Sequence, residues 1–125
     1  MTARGERTFK VGQREVTVLF TNRALANAEK RLGKGIIGIA DGLLSGGSGM
    51  AEIAVLLQVG MDAARVDARA GGQQISLDRA YEVLDEAGFA AVAQPVMEAI
   101  AAVLAYAPEA DNVIEGTVKP DDPNA

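Results

Sequence analysis

The chain has no cysteine, no histidine and no tryptophan, and only five of its 125 residues are aromatic, three Phe and two Tyr. Without cysteine there is no disulfide framework, no zinc ribbon and no thiol nucleophile. Without histidine there is no imidazole base, no Ser-His-Asp triad and no imidazole metal ligand. Proline is scarce, and three of the four prolines fall at or after Pro108. The opening residues, Met1-Thr2-Ala3-Arg4-Gly5, lack the apolar core of a signal peptide. These absences predict a binding protein, not an enzyme, with no cofactor and no resident metal.

What is present is small and apolar. Ala occurs 23 times and Gly 14 times, and 49% of the residues are hydrophobic. A chain of this length fits one domain, which can bury roughly two-thirds of its unfolded surface. A core of small side chains favours close helix packing. The net charge of −5 hides an asymmetry. Residues 1–34 carry eight Lys or Arg against three Asp or Glu, whereas residues 35–125 carry four against fourteen. A basic front and an acidic back can attract copies head to tail, or a basic partner, although charge runs usually do no more than solvate a surface.

Thr8 to Phe20 reads as a β-hairpin: Phe9 and Val11 alternate with polar residues, Gly12-Gln13-Arg14 makes the turn, and Val16, Val18 and Phe20 resume the alternation. Thr21 or Asn22 caps a helix bearing Ala24, Leu25, Ala28 and Leu32, closed by Gly33. A short apolar helix follows, Ile36 to Leu44, interrupted by Gly38 and Gly42. After a Gly/Ser loop, Ser48 is placed to cap a third helix from about Met50 to Arg69, whose stripe runs Ile53, Leu56, Leu57, Gly60, Met61 and Ala64. Ser76 caps a fourth helix with Leu77, Ala80, Tyr81 and Leu84 on its buried side, ended by Gly88. The last helix runs from about Phe89 to Tyr106, with Pro95 expected to kink or restart it. Glu98 in that helix argues against a membrane span, because a mid-bilayer carboxylate costs about 2.5–3.5 kcal/mol. The expected fold is α+β and mostly α: one domain over residues 1–107, a hairpin packed on four to five helices. A flexible, acidic, proline-containing tail is expected over residues 108–125.

Few motifs carry chemistry. Gly33-Lys34-Gly35-Ile36-Ile37-Gly38 spells GxGxxG, but a helix precedes it where a dinucleotide fingerprint needs a strand. Asp78, Glu82, Asp85 and Glu86 form the densest acidic cluster, most simply a solvated face. Arg4, Arg7, Lys10 and Arg14 have little aromatic interleaving, so nucleic acid is not an expected partner. The apolar residues are more informative. Ile36, Ile37, Ile39, Leu43 and Leu44 lie among glycines with loops on both sides, as a mobile apolar flap would. Together with Phe89, Val92, Val96, Ile100 and Leu104 of the last helix, they are the candidate partner-binding or self-association residues.

The order of these features resembles a known family. A hairpin leading through Val16-Thr17-Val18-Leu19-Phe20-Thr21 precedes a helix with Ala24-Leu25 and Ala28-Glu29. A short apolar helix, a long helix with Leu56-Leu57 and Val59-Gly60, and the acidic segment Tyr81 to Gly88 follow, and an alanine-rich helix with Val96, Ile100 and Leu104 ends the series. Over residues 5–107 this is similar to the small tail assembly chaperones of long-tailed phages and gene transfer agents, some of them labelled tail tube proteins. The resemblance implies a non-catalytic protein of the bacterial host cytoplasm, absent from the mature particle. It implies binding to the long helical tape-measure protein, help to polymerisation of the major tail tube protein, and a homo-oligomer. Many members are made in two lengths by a programmed frameshift. The alternative is a structural virion component, a head-tail connector or tail tube protein. A tube subunit needs more strand than a single hairpin supplies.

Overall fold

Alternation of β-branched and polar residues builds the hairpin. In the computed structural model, which describes residues 4–107, strands β1 (Arg4–Val11) and β2 (Arg14–Thr21) pair antiparallel from Arg4↔Thr21 to Val11↔Arg14. The loop is Gly12 and Gln13, and only Gly12 has a left-handed φ, 64°, as a two-residue II′ turn requires of its first position. Val11, Val16, Val18 and Phe20 are buried beneath the hairpin. On its outer face the hydroxyls of Thr8 and Thr17 are 2.9 Å apart. β1 begins at Arg4 where alternation predicts Thr8, because Arg4, Glu6 and Arg7 carry no apolar signal.

Five helices follow: α1 (Asn22–Leu32), α2 (Ile36–Ser45), α3 (Met50–Asp67), α4 (Leu77–Ala87) and α5 (Phe89–Leu104). Two of the expected caps form. The Thr21 hydroxyl accepts from the Ala24 amide at 3.1 Å, and the Ser76 hydroxyl accepts from the Arg79 amide at 3.1 Å. Gly33, with φ 69°, closes α1 in the left-handed conformation. The third does not: Gly49, not Ser48, is the N-cap of α3, and Ser48 Oγ is buried without a partner. α3 stops at Asp67, ahead of the expected Arg69. Pro95 lies inside α5 without restarting it; its ring is buried, and the Ala91 carbonyl forgoes the amide that another residue at 95 would offer.

α3 is the central element. It packs on β2, α1, α4 and α5, while α5 runs beneath β1. Two glycines permit these approaches. A Cβ on Gly5 would stand 1.8 Å from the carbonyl oxygen of Ala99, and a Cβ on Gly60 would stand 2.9 Å from Val18 Cβ. A polar chain holds the α3–α4 connection: Arg31 donates to Gln58 at 2.7 Å, Gln58 donates to the Ile75 carbonyl at 3.0 Å, and Asp62 accepts from the Ile75 amide at 2.9 Å. The architecture is α+β and mostly helical, one hairpin packed on five helices. The tail expected over residues 108–125 lies outside the described residues.

A candidate partner-binding trough between two helices

α2 is the most apolar stretch of the chain and the least anchored helix. Gly35 gives it no side-chain cap, and its first amide, Ile36 N, donates instead to Glu29 Oε2 at 2.7 Å. Gly38 and Gly42 lie inside it, each about 1 kcal/mol less favourable than alanine in a helix interior. Only Ile39 is fully buried. The helix ends where the Gly42 carbonyl accepts from the amides of Gly46, Gly47 and Ser48. The GxGxxG letters therefore fall on the left-handed stop of α1, the start of α2 and its first turn.

The ten candidate residues divide into three groups. Ile37, Leu44, Phe89 and Leu104 are surface side chains, 67%, 73%, 38% and 43% exposed. Ile36 and Leu43 are half-buried against the core. Ile39, Val92, Val96 and Ile100 are core side chains, buried within the chain. A stripe at three-to-four spacing describes a core face and a docking face equally well. Here the α5 stripe Val92, Val96, Ile100 turns inward, and Ile100 contributes only the floor of the trough.

The trough runs along the α2–α5 seam. One hollow of about 300 Å³ lies between Ala40, Leu43 and Leu44 on α2 and Met97, Ala101 and Leu104 on α5. A second, of about 430 Å³, is bounded by Leu43, Leu44, Phe89, Ala90, Ala93 and Met97. Leu43, Leu44 and Met97 line both, so the hollows form one apolar trough. Its α5 wall is low because positions 93 and 101, one turn on either side of Met97, are alanine, as is Ala105 that caps the helix. Gln94 and Ser45 are the polar residues lining the second hollow, and Gln94 already donates to Glu98 at 2.8 Å.

Part of the charge asymmetry is used within the chain: four of the eight basic residues of the front pair with carboxylates of the back. Arg4 pairs with Asp67 at 3.0 Å, Arg7 with Glu98 at 3.5 Å, Lys34 with Glu52 at 2.9 Å, and Arg14 with Glu86. Hydrogen bonding to Asp67, with the Asp67 charge second, raises the Arg4 guanidinium above its ordinary value. A further cleft of about 310 Å³ lies between α1 and α3, but its carboxylates are engaged: Asp67 by Arg4, and Asp62 by Arg65 at 2.9 Å and by the Ile75 amide. Among the described residues there is no group of three or more acidic side chains placed to hold a metal ion, and no single helix is long and apolar enough to cross a membrane. The chain matches no protein-family model, no curated protein and no solved structure.

Proposed function

We propose that the chain is a non-catalytic tail assembly chaperone of a long-tailed phage or gene transfer agent. It binds the tape-measure protein, keeps that long helical chain soluble, and assists polymerisation of the tail tube protein around it. The work is done in the bacterial host cytoplasm, and the chaperone leaves before the particle is complete.

The observation that carries this reading is the α2–α5 trough, with Leu44, Phe89 and Leu104 exposed along it. From Phe89 to Leu104 α5 advances about 22 Å, the length of four turns of a partner helix. An amphipathic helix lays its i, i+3, i+4 and i+7 side chains into such a groove. A tape-measure chain offers that pattern repeatedly. The low alanine wall suits many related helical stretches, because it excludes none by shape. The weakly held α2 can shift to admit larger side chains.

Co-expression with the largest protein of the same gene cluster tests the reading. The expected result is that the long protein becomes soluble only with this chain and co-purifies with several copies of it. Leu44→Asp should abolish co-purification while leaving the melting temperature within a few degrees, since the side chain is on the surface. If the long protein stays insoluble and this chain elutes alone, the chaperone reading fails. Purified particles would then be searched for the chain as a connector.

A further inference from the structure

Two helix faces carry charge that the fold does not satisfy. On α1, Arg23 and Lys30 are exposed and seven residues apart; on α4, Asp78 and Asp85 are exposed and also seven apart. Seven residues are two helical turns, about 10.5 Å, and bring the second side chain back to within about 20° of the first. None of the four makes an ion pair or a side-chain hydrogen bond among the described residues. Their charged neighbours are occupied: Arg31 with Gln58, Glu29 with the Ile36 amide, Glu82 with Arg79, and Glu86 with Arg14. The two cations and the two carboxylates therefore stand out at matched spacing on outward faces. Arg23 and Lys30 lie opposite the buried Ala24, Leu25 and Ala28.

The placement of these faces decides what can satisfy them. α1 and α4 both pack on α3, and neither packs on the other. None of the four charged side chains finds its partner among the described residues of the chain, so a second copy can satisfy them. A contact between two different surfaces of identical subunits repeats from copy to copy, giving a ring if the rotation closes and a filament if it does not.

We propose that the α1 face of one copy docks on the α4 face of the next, with Arg23 and Lys30 against Asp78 and Asp85. The occupant of each face is a second copy of this chain, and the proposal does not rest on the chaperone reading. Exposed ion pairs are individually weak and screened by salt. The array therefore forms at low salt and high concentration, or where copies are held side by side on one long partner, which raises their effective concentration.

Sedimentation of the full chain reads this directly. At about 0.01 M ionic strength, where the Debye length is about 30 Å, the mean mass should rise with protein concentration; at about 1 M, where it is about 3 Å, it should return to the 13.0 kDa monomer. Reversing one face, as Arg23→Glu with Lys30→Glu, should weaken self-association at least about tenfold, and so should Asp78→Lys with Asp85→Lys. Mixing the two reversed proteins should restore association, because each then meets an opposite charge on the other. Asp78 sits in the first turn of α4, where a carboxylate favours the helix, so Asp85→Lys alone is measured as a control with an unchanged helix start. A wild-type chain that stays monomeric at low salt overturns the proposal. So does association that survives 1 M salt, or reversed variants that associate as well alone as mixed; those results would place the contact on an apolar surface such as the trough.

Discussion

α2 and α3 follow one another in the chain, and both are rich in large apolar residues, yet they use them in opposite ways. α3 buries Ile53, Leu56, Leu57, Val59 and Met61 at the centre of the fold, with α1, α4, α5 and β2 packed around it. α2 carries five Ile or Leu in ten residues and buries one of them fully. The difference lies in what surrounds each helix, not in what composes it. A helix enclosed by its neighbours turns apolar side chains into stability. A helix lying at an edge, interrupted by two glycines, leaves two of them, Ile37 and Leu44, on the surface.

The sharpest way to break this comparison is to remove the same side chain from each helix. Leu56→Ala in α3 deletes a fully buried side chain, and the expected loss is about 2–5 kcal/mol in denaturant unfolding. Leu44→Ala in α2 removes a side chain that is 73% exposed, and the expected change is within about 0.5 kcal/mol. If the two losses were equal, Leu44 would be core and the trough closed in solution.

Glycine gives a smaller and cleaner contrast. Gly60→Ala in α3 puts a methyl 2.9 Å from Val18 Cβ and 3.0 Å from the Phe20 ring. Gly38→Ala in α2 meets nothing nearer than a Lys34 methylene at 3.7 Å. Both substitutions gain up to about 1 kcal/mol of helix propensity. Only the first also overpacks a contact, at about 1–3 kcal/mol. Gly38→Ala should therefore raise the melting temperature, and Gly60→Ala should lie below it by about the overpacking cost. A Gly60→Ala protein as stable as Gly38→Ala would mean that the hairpin rides loosely on α3.

Much of this was legible in the chain because short-range chemistry decided it. Val16, Val18 and Phe20 set which face of the hairpin is buried. Thr21, Ser76, Gly33 and Gly88 mark helix ends by what their side chains or backbones can do. The stripe of α3 identifies its buried side, and that of α4 does so in part: Ala80 and Leu84 are buried, Leu77 and Tyr81 are half-buried, and the fully buried Val83 lies outside it. The rest depends on contacts distant in sequence. Nothing local says that Gly5 must lie against Ala99, so β1 appeared to start later than it does. Nothing local says which of several apolar rows on α5 turns inward, so the sequence alone does not separate the buried Val92, Val96 and Ile100 from the exposed Phe89 and Leu104. The position of the trough depends on which helix lies beside the alanines of α5, and that is set by a contact distant in sequence.

The smallest effect separates two serines that the sequence treats alike. Ser76 and Ser48 each stand just before a helix, and each reads as a cap. Ser76 accepts the Arg79 amide, so Ser76→Ala leaves that amide without its partner and should cost about 1 kcal/mol. Ser48 Oγ sits beneath Gly42, buried and unbonded, with the unpaired Glu52 Oε2 as its companion in desolvation. Ser48→Ala removes a hydroxyl that gained nothing on burial, so stability should stay level or rise by up to about 1 kcal/mol. The two variants are compared in one urea titration. Should Ser48→Ala lose as much as Ser76→Ala, the hydroxyl has a partner such as a bound water joining it to Glu52, and α2 is tied to α3 more firmly than its single buried side chain implies.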